Sequence, residues 1–263
     1  PQAAGLRGQA GFIASFGFDH DVEEFDRYVH AMDGVRTPYT EYLRERDLLD
    51  RYVDQLKKIW RLTPNHWDGV TSPLDQEHDL TSFLTRAALS WLDERTSERP
   101  FFLQLSYVQP HVPLMADPIW ADYYASVPIE RGPRELPEAP NEQWDWHLRF
   151  CRAHSQVEQL SDEYVERGAR QYYGMISLID QCVGALLAQL ERRGFLENTW
   201  IVYSSDHGEM LGDHGLMAKF NFYRASVQVP LLLRPPGGRA GSVCDELVEL
   251  VDVPATLLDA ASC

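Results

Sequence analysis

Two adjacent residues carry the first chemistry this sequence offers. Asp206 and His207 stand just after the apolar run Trp200-Ile201-Val202-Tyr203 and just before Gly208. A hard carboxylate and a neutral imidazole together suit a divalent cation. Neighbouring side chains on a strand face opposite ways. Both reach one ion only if the backbone turns, and Gly208 is the residue that would let it. The competing reading is a strand with a polar turn, in which Asp206 simply caps the next segment. Two further groups could serve a reaction there. Lys219 is a compact ammonium that can hold an anionic oxygen as a point charge. His111 lies between Pro110 and Pro113, which restrict the backbone around it. Its imidazole is of the kind that gives a proton to a leaving group. Taken singly, Lys219 reads as a surface lysine and His111 as a loop histidine.

These residues need a scaffold to deliver them. Trp200–Tyr203 is short, apolar and rich in β-branched and aromatic residues, which predicts a buried strand of a parallel sheet. Catalytic groups in open α/β sheets sit beyond the carboxyl ends of such strands. Residues 100–107 and 229–234 predict two more buried strands, with His111 just beyond the first. Apolar residues at helical spacing predict helices over 41–60 and 77–95. The longest helical pattern starts behind Ser161 as N-cap and stops at Gly194. It leads into Trp200 as a right-handed crossover. Residues 247–261 predict a short strand and a Pro-started helix. The whole reads as α/β, a mostly parallel sheet with helices on both faces.

Residues 115–160 are polar and rich in Pro, Trp and Glu, and predict a loop-rich insertion. Trp144, Trp146 and His147 could line a mouth; the expectation is that the tryptophans pack the insertion onto the core. Asp19-His20-Asp21 invites a metal reading but is expected to be a solvated turn.

Composition bounds the function. The chain has 263 residues, 44% of them hydrophobic, enough for one sizeable core or a core plus a lobe. Lys and Arg number 24 against 40 Asp and Glu, a formal charge of −16, which argues against nucleic acid as a partner. No apolar run approaches the ~20 residues of a membrane span. The four cysteines, Cys151, Cys182, Cys244 and Cys263, have no zinc-ligand spacing. Cys182 is expected to be a buried thiol. They fix no compartment.

Asp206-His207-Gly208, then Leu211-Gly212-Asp213-His214-Gly215 and Lys219, resembles the metal-binding segment of the sulfatases, members of the alkaline phosphatase superfamily. Phe101-Phe102-Leu103 followed by Pro110-His111-Val112-Pro113 is similar to another stretch of that family. The likeness covers most of residues 70–261 and is weakest in the insertion. It implies an alkaline-phosphatase-like fold and the hydrolysis of sulfate monoesters, small anionic esters, with a divalent metal. Ca²⁺ is the expected ion, with Mn²⁺ or Mg²⁺ as alternatives. The resemblance makes Asp206 and His207 metal ligands, and Lys219 and His111 catalytic and substrate-binding residues. Asp213 and His214 read as structural, bonded within the Gly212–Gly215 turn. Sulfatases also use a formylglycine made in a C/S-x-P/A-x-R motif, and no cysteine or serine here has those surroundings. No strand-plus-acid pair precedes residue 70 either. In sulfatases a segment like Gly17-Phe18-Asp19 follows the nucleophile. The expectation is therefore a partial catalytic domain over 1–263, truncated at both ends, with the nucleophile upstream and no turnover by this chain alone. Two alternatives stay open: a phosphonate monoester or phosphodiester hydrolase of the same fold, and a non-catalytic sulfatase-like binding domain.

Overall fold

The computed structural model describes residues 18, 22, 24, 27–61, 67–96, 99–135, 138, 140–155, 161–238 and 241–262. The Asp19-His20-Asp21 cluster lies outside the described residues, as do Gly17 and Cys263. Internal contacts group Pro1–Arg131 with Gln156–Leu186 in one compact unit, and Gly132–Ser155 with Leu187–Cys263 in a second.

The first unit holds helices α1 (Val29–Met32), α2 (Pro38–Arg44), α3 (Leu49–Arg61), α4 (Leu80–Glu94) and α5 (Pro118–Tyr124). The insertion contributes α6 (Glu142–Ser155), in the second unit. Helix α7 (Asp162–Arg192) belongs to the first unit up to Leu186. Local chemistry sets these boundaries. Thr37 and Thr40 exchange reciprocal bonds around Pro38, which starts α2. The single helix expected over 41–60 is two, because the chain reverses at Asp47, whose φ is 55°. There Leu48 N donates to Leu43 O and Asp47 N to Arg44 O, a helix stop usually closed by glycine that aspartate also tolerates. At the far end of α7, Phe195 N donates to Leu190 O and Gly194 N to Glu191 O, the stop expected at Gly194.

The core of this unit gathers Tyr39, Leu43, Tyr52, Leu56, Leu80, Leu84 and Met115. Within it lies a buried ion pair. Arg27 Nη2 stands 3.4 Å from Asp79 Oδ2, the two side chains 1% and 3% exposed. Arg27 also donates to the Pro113 and Met115 carbonyls at 3.1 Å each and to Met175 Sδ at 3.0 Å. Asp79 caps α4 by accepting from Thr81 N at 2.8 Å.

The sheet departs from expectation. Among the described residues the one ladder pairs β1 (Ile201–Ser204) with β2 (Leu231–Arg234), and it is antiparallel, Ile201 opposite Arg234 and Ser204 opposite Leu231. The connection between them contains one 3₁₀ turn (Asp213–Gly215) and one turn of α-helix, α8 (Arg224–Val227), and no covering helix of the kind a parallel crossover needs. Nor are the strands buried as expected, since Tyr203, Leu232 and Leu233 are exposed. Residues 101–108 form no strand. Burial alternates there, Leu103 and Leu105 half-covered, Phe102 and Gln104 open, so one face packs while no described strand pairs with it. Residues 247–251, expected as a short strand, form none before α9 (Asp252–Ala260). The insertion is more ordered than expected, containing α5 and α6. By length and composition alone α7 could cross a membrane, a property that counting apolar runs did not reveal. Its Val165, Ala169, Met175, Leu178 and Cys182 are buried, the last as the free thiol expected.

The buried pair gives a stability prediction. Arg27→Met should lower stability by about 3–5 kcal/mol, because it strands the Asp79 carboxylate. Adding Asp79→Asn should recover part of that loss. Urea denaturation of the single and double variants measures both; a double variant weaker than the single would contradict the stranded-charge account.

Candidate active site

His111 is positioned from both sides within the first unit. On its N-terminal side the buried Gln109 amide donates to Asp79 Oδ2 at 3.1 Å, while its carbonyl oxygen accepts from Thr81 Oγ1. On its C-terminal side residues 112–117 are buried. Arg27 takes two of their carbonyls, Val70 N donates to Leu114 O at 3.0 Å, and Ala116 N donates to Gln171 Oε1 at 2.9 Å. His111 itself is half-buried, its Nδ1 3.1 Å from Val112 O. A carbonyl can only accept, so Nδ1 carries the proton.

In the second unit Asp206 and His207 do come together. His207 Nε2 lies 3.5 Å from Asp206 Oδ2, and the Asp206 side chain is 85% exposed. His207 Nδ1 lies 2.8 Å from Gly208 O and must donate to it. In the neutral ring Nε2 then presents a lone pair towards a carboxylate oxygen, two electron-rich atoms face to face. A cation between them satisfies both, so these donors fit a divalent ion. Among the described residues no group of three or more His, Cys, Asp or Glu side chains is gathered, so the pair supplies only part of a coordination shell. Gly208 works differently from the turn expected of it. A Cβ there would stand 2.0 Å from Ala225 O, so its role is close backbone approach, with Gly208 N donating to Ser226 O at 2.7 Å.

Lys219 is held from several directions. Helix α6 clamps the segment through Ser155, whose Oγ donates to Met217 O and accepts from Met217 N, both at 2.9 Å. Cys151 Sγ donates to Phe220 O at 2.9 Å, and burial raises this thiol's pKa, leaving it a structural group. Ser226 Oγ donates to Lys219 O at 2.7 Å. Glu209 Oε1 accepts from Leu211 N and Ala218 N; burial raises the pKa of this carboxyl, against the pull of those amides and of Lys219 and His207. His154 is shifted down by burial and then by the Lys219 charge, which keeps it neutral beside the ammonium.

The tryptophans of the insertion divide. Trp146 is exposed, whereas Trp144 is half-buried against His147 and Phe222. His214 bonds outside its own turn: its N donates to Pro133 O at 2.5 Å and its Nδ1 to Glu135 O at 2.8 Å, and its ring lies 4.5 Å from that of Tyr223. It clasps the 132–135 segment, beside a cavity of about 390 Å³ lined by Asp213, His214, Tyr223 and Arg224.

The family model described as Sulfatase matches residues 8–263. The chain belongs to the sulfatase family. This sulfatase chain is 32% identical over 238 residues to an arylsulfatase of Clostridium perfringens, the match covering 85% of the chain and 46% of that protein. It is 33% identical over 197 residues to a choline-sulfatase of Rhizobium meliloti, covering 73% of the chain and 38% of the relative. Among solved structures it resembles a phosphonate monoester hydrolase from Silicibacter pomeroyi, with a TM-score of 0.68 and 26% identity, covering 86% of the chain and 46% of that one. The chain thus spans less than half the length of these relatives. With such neighbours the architecture is a helix-rich α/β fold of the alkaline-phosphatase kind. Sequence reasoning missed Glu209, Ser155 and Cys151. Only Glu209 carried a signal, as an acid beside Asp206 and His207 and amid apolar residues.

The glycines test this geometry. A Cβ at Gly132 would stand 2.0 Å from Asp213 Oδ1, a side chain that can rotate aside, whereas Gly208 faces backbone. Gly208→Ala should therefore cost about 1–3 kcal/mol and Gly132→Ala distinctly less, read from denaturant midpoints of the two variants. The reverse order would refute the backbone-approach role of Gly208.

Proposed function

We propose that the whole protein is a sulfuric ester hydrolase acting on sulfate monoesters, small anionic substrates, with a divalent cation held in part by Asp206 and His207. The observation that carries this reading is the Asp206 and His207 arrangement, an exposed carboxylate oxygen 3.5 Å from the imidazole Nε2, in a chain of the sulfatase family. Ca²⁺ is the ion proposed; when bound it would neutralise charge on the non-bridging sulfuryl oxygens. Lys219 holds one of those oxygens as the reaction builds charge. His111, its Nδ1 proton committed to Val112 O, acts in its doubly protonated imidazolium form and gives the leaving oxygen the proton on Nε2. The reading places residues 1–263 within one catalytic domain and the formylglycine nucleophile outside this sequence. It also includes a larger, mostly parallel sheet with helices on both faces. The exposed apolar Tyr203, Leu232 and Leu233 support that part, since such strands normally lie between layers.

A second reading, hydrolysis of phosphonate monoesters or phosphodiesters, is favoured by the likeness to the Silicibacter pomeroyi enzyme. Paired kcat/KM values of the whole protein on a nitrophenyl sulfate and on a nitrophenyl phosphonate decide between them. A higher value on the sulfate is expected, and a clear preference for the phosphonate would establish the second reading instead.

Within this function Lys219→Ala should cost on the order of 2.7–4 kcal/mol of transition-state stabilisation, as does loss of one oxyanion donor. His111→Ala should slow esters of poor leaving groups far more than esters of good ones, because only the former need the proton. A leaving-group series with equal losses throughout would remove His111 from the acid role.

A further inference from the structure

Glu209 is an acid next to the metal pair that the proposed chemistry leaves unused. Its Oε1 accepts from the amides of Leu211, at 3.3 Å, and Ala218, at 2.5 Å. Both residues have left-handed backbones, φ 44° and 67°. Neither is a glycine, so nothing in their own side chains favours that conformation. Met210 N donates to Ala218 O at 3.1 Å and closes the loop between them. The carboxylate therefore sits across the neck of the 210–218 loop, one anionic oxygen answering two amides that the loop turns inward. Charged acceptors make the stronger bonds of this kind. Lys219 follows Ala218 directly, so the Ala218 backbone sets the direction in which the lysine leaves the loop. The metal pair has other supports: His207 is bonded to Gly208 O, and Gly208 N to Ser226 O.

We propose that Glu209 is a positioning residue acting through Lys219: its carboxylate holds Ala218 in the left-handed conformation and so aims the ammonium at the anionic group of the substrate. The proposal rests on the reading of Lys219 as the residue that holds a sulfuryl oxygen. It separates the loop into two independently supported parts, the metal pair and the ammonium, joined through a single side chain that touches neither substrate nor metal.

The test uses the whole, Ca²⁺-loaded protein with a nitrophenyl sulfate as substrate. Lys219→Ala, Glu209→Ala, Glu209→Gln and the double variant Glu209→Ala/Lys219→Ala are compared. Glu209→Ala should lose on the order of 10–100-fold in kcat/KM, the usual effect of removing a group that orients a site residue. Glu209→Gln should keep most of the rate, because its amide oxygen still accepts from both backbone amides. The double variant should fall no lower than Lys219→Ala alone, the non-additivity of residues acting through one another. Calorimetric Ca²⁺ affinity of Glu209→Ala should equal that of the parent. If Glu209→Ala does not fold, Glu209→Asp takes its place, since the shorter carboxylate keeps the charge but cannot span both amides. Additive losses in the double variant, or a fall in Ca²⁺ affinity matching the fall in rate, would overturn the positioning role while leaving Lys219 its own. Full activity of Lys219→Ala would overturn both.

Discussion

The first unit depends on one buried charge pair. Arg27 and Asp79 are almost wholly withdrawn from water, a state that is costly unless every remaining polar atom is answered. Of the pair's side-chain polar atoms Arg27 Nε alone goes without a partner among the described residues, and the groups that answer the others are the structure. Arg27 binds the Pro113 and Met115 carbonyls, and its own carbonyl accepts from Tyr52. Asp79 takes the Thr81 amide that starts α4 and the Gln109 amide that precedes His111. These two residues thus tie the start of a helix, a core tyrosine and the non-strand segment bearing the candidate acid. That segment lacks a β-ladder to fix it, and the side-chain bonds supply the constraint a ladder would otherwise give.

The second unit solves a similar problem without a buried ion pair among its described residues. Its loop from Asp206 to Lys219 has left-handed residues at Gly212 and Gly215, which adopt that conformation freely, and at Leu211, His214 and Ala218, where it persists only if the surroundings over-determine it. Ser155, Cys151, Ser226 and Glu209 each bond the backbone within two residues of Lys219 or at Lys219 itself. Asp206 is the contrast, an open side chain on the same loop. In the proposed roles this contrast makes sense: an ammonium that meets developing charge benefits from a fixed place, whereas a ligand that receives an ion from solution must stay accessible.

How far the sequence is legible depends on how local each feature is. The ends of α7 are readable because Ser161 and Gly194 act within a few residues of themselves, whereas the Asp79 cap that starts α4 falls two residues inside the helix expected from 77. The split between α2 and α3 is not readable, since Asp47 does the work usual for glycine. Strand pairing is settled by partners far away in sequence. The apolar runs at 201–204 and 231–234 can be found, but their direction cannot, and 101–108 has the composition of a strand without a described partner. Asp206, His207, Lys219 and His111 stand out by residue type and spacing. Ser155 and Cys151 look like ordinary helix residues, and only the fold places them against Met217 and Phe220. His214 reads as part of its own turn, yet the residues it binds are Pro133 and Glu135, the second 79 positions away, and nothing local announces them.

The charge of the chain sharpens the case for Lys219. A protein of formal charge −16 repels an anion at long range, so an anionic ester needs cationic groups not already satisfied by acids. Many of the arginines are satisfied. Arg36 and Arg44 share Glu41, whose carboxyl the Arg36 guanidinium beside it holds down at about 2. Arg149 pairs with Asp145, Arg167 with Asp68 and Glu163, and Arg170 with Glu166. Lys219 forms no ion pair among the described residues. Glu209, an acid on the same loop, is engaged by backbone amides instead. His154 is kept neutral by burial and by the ammonium itself, so it does not compete for an anion. The fold thus commits these acids to arginines and amides and leaves the Lys219 ammonium, on a rigid loop, open to a negative charge from outside.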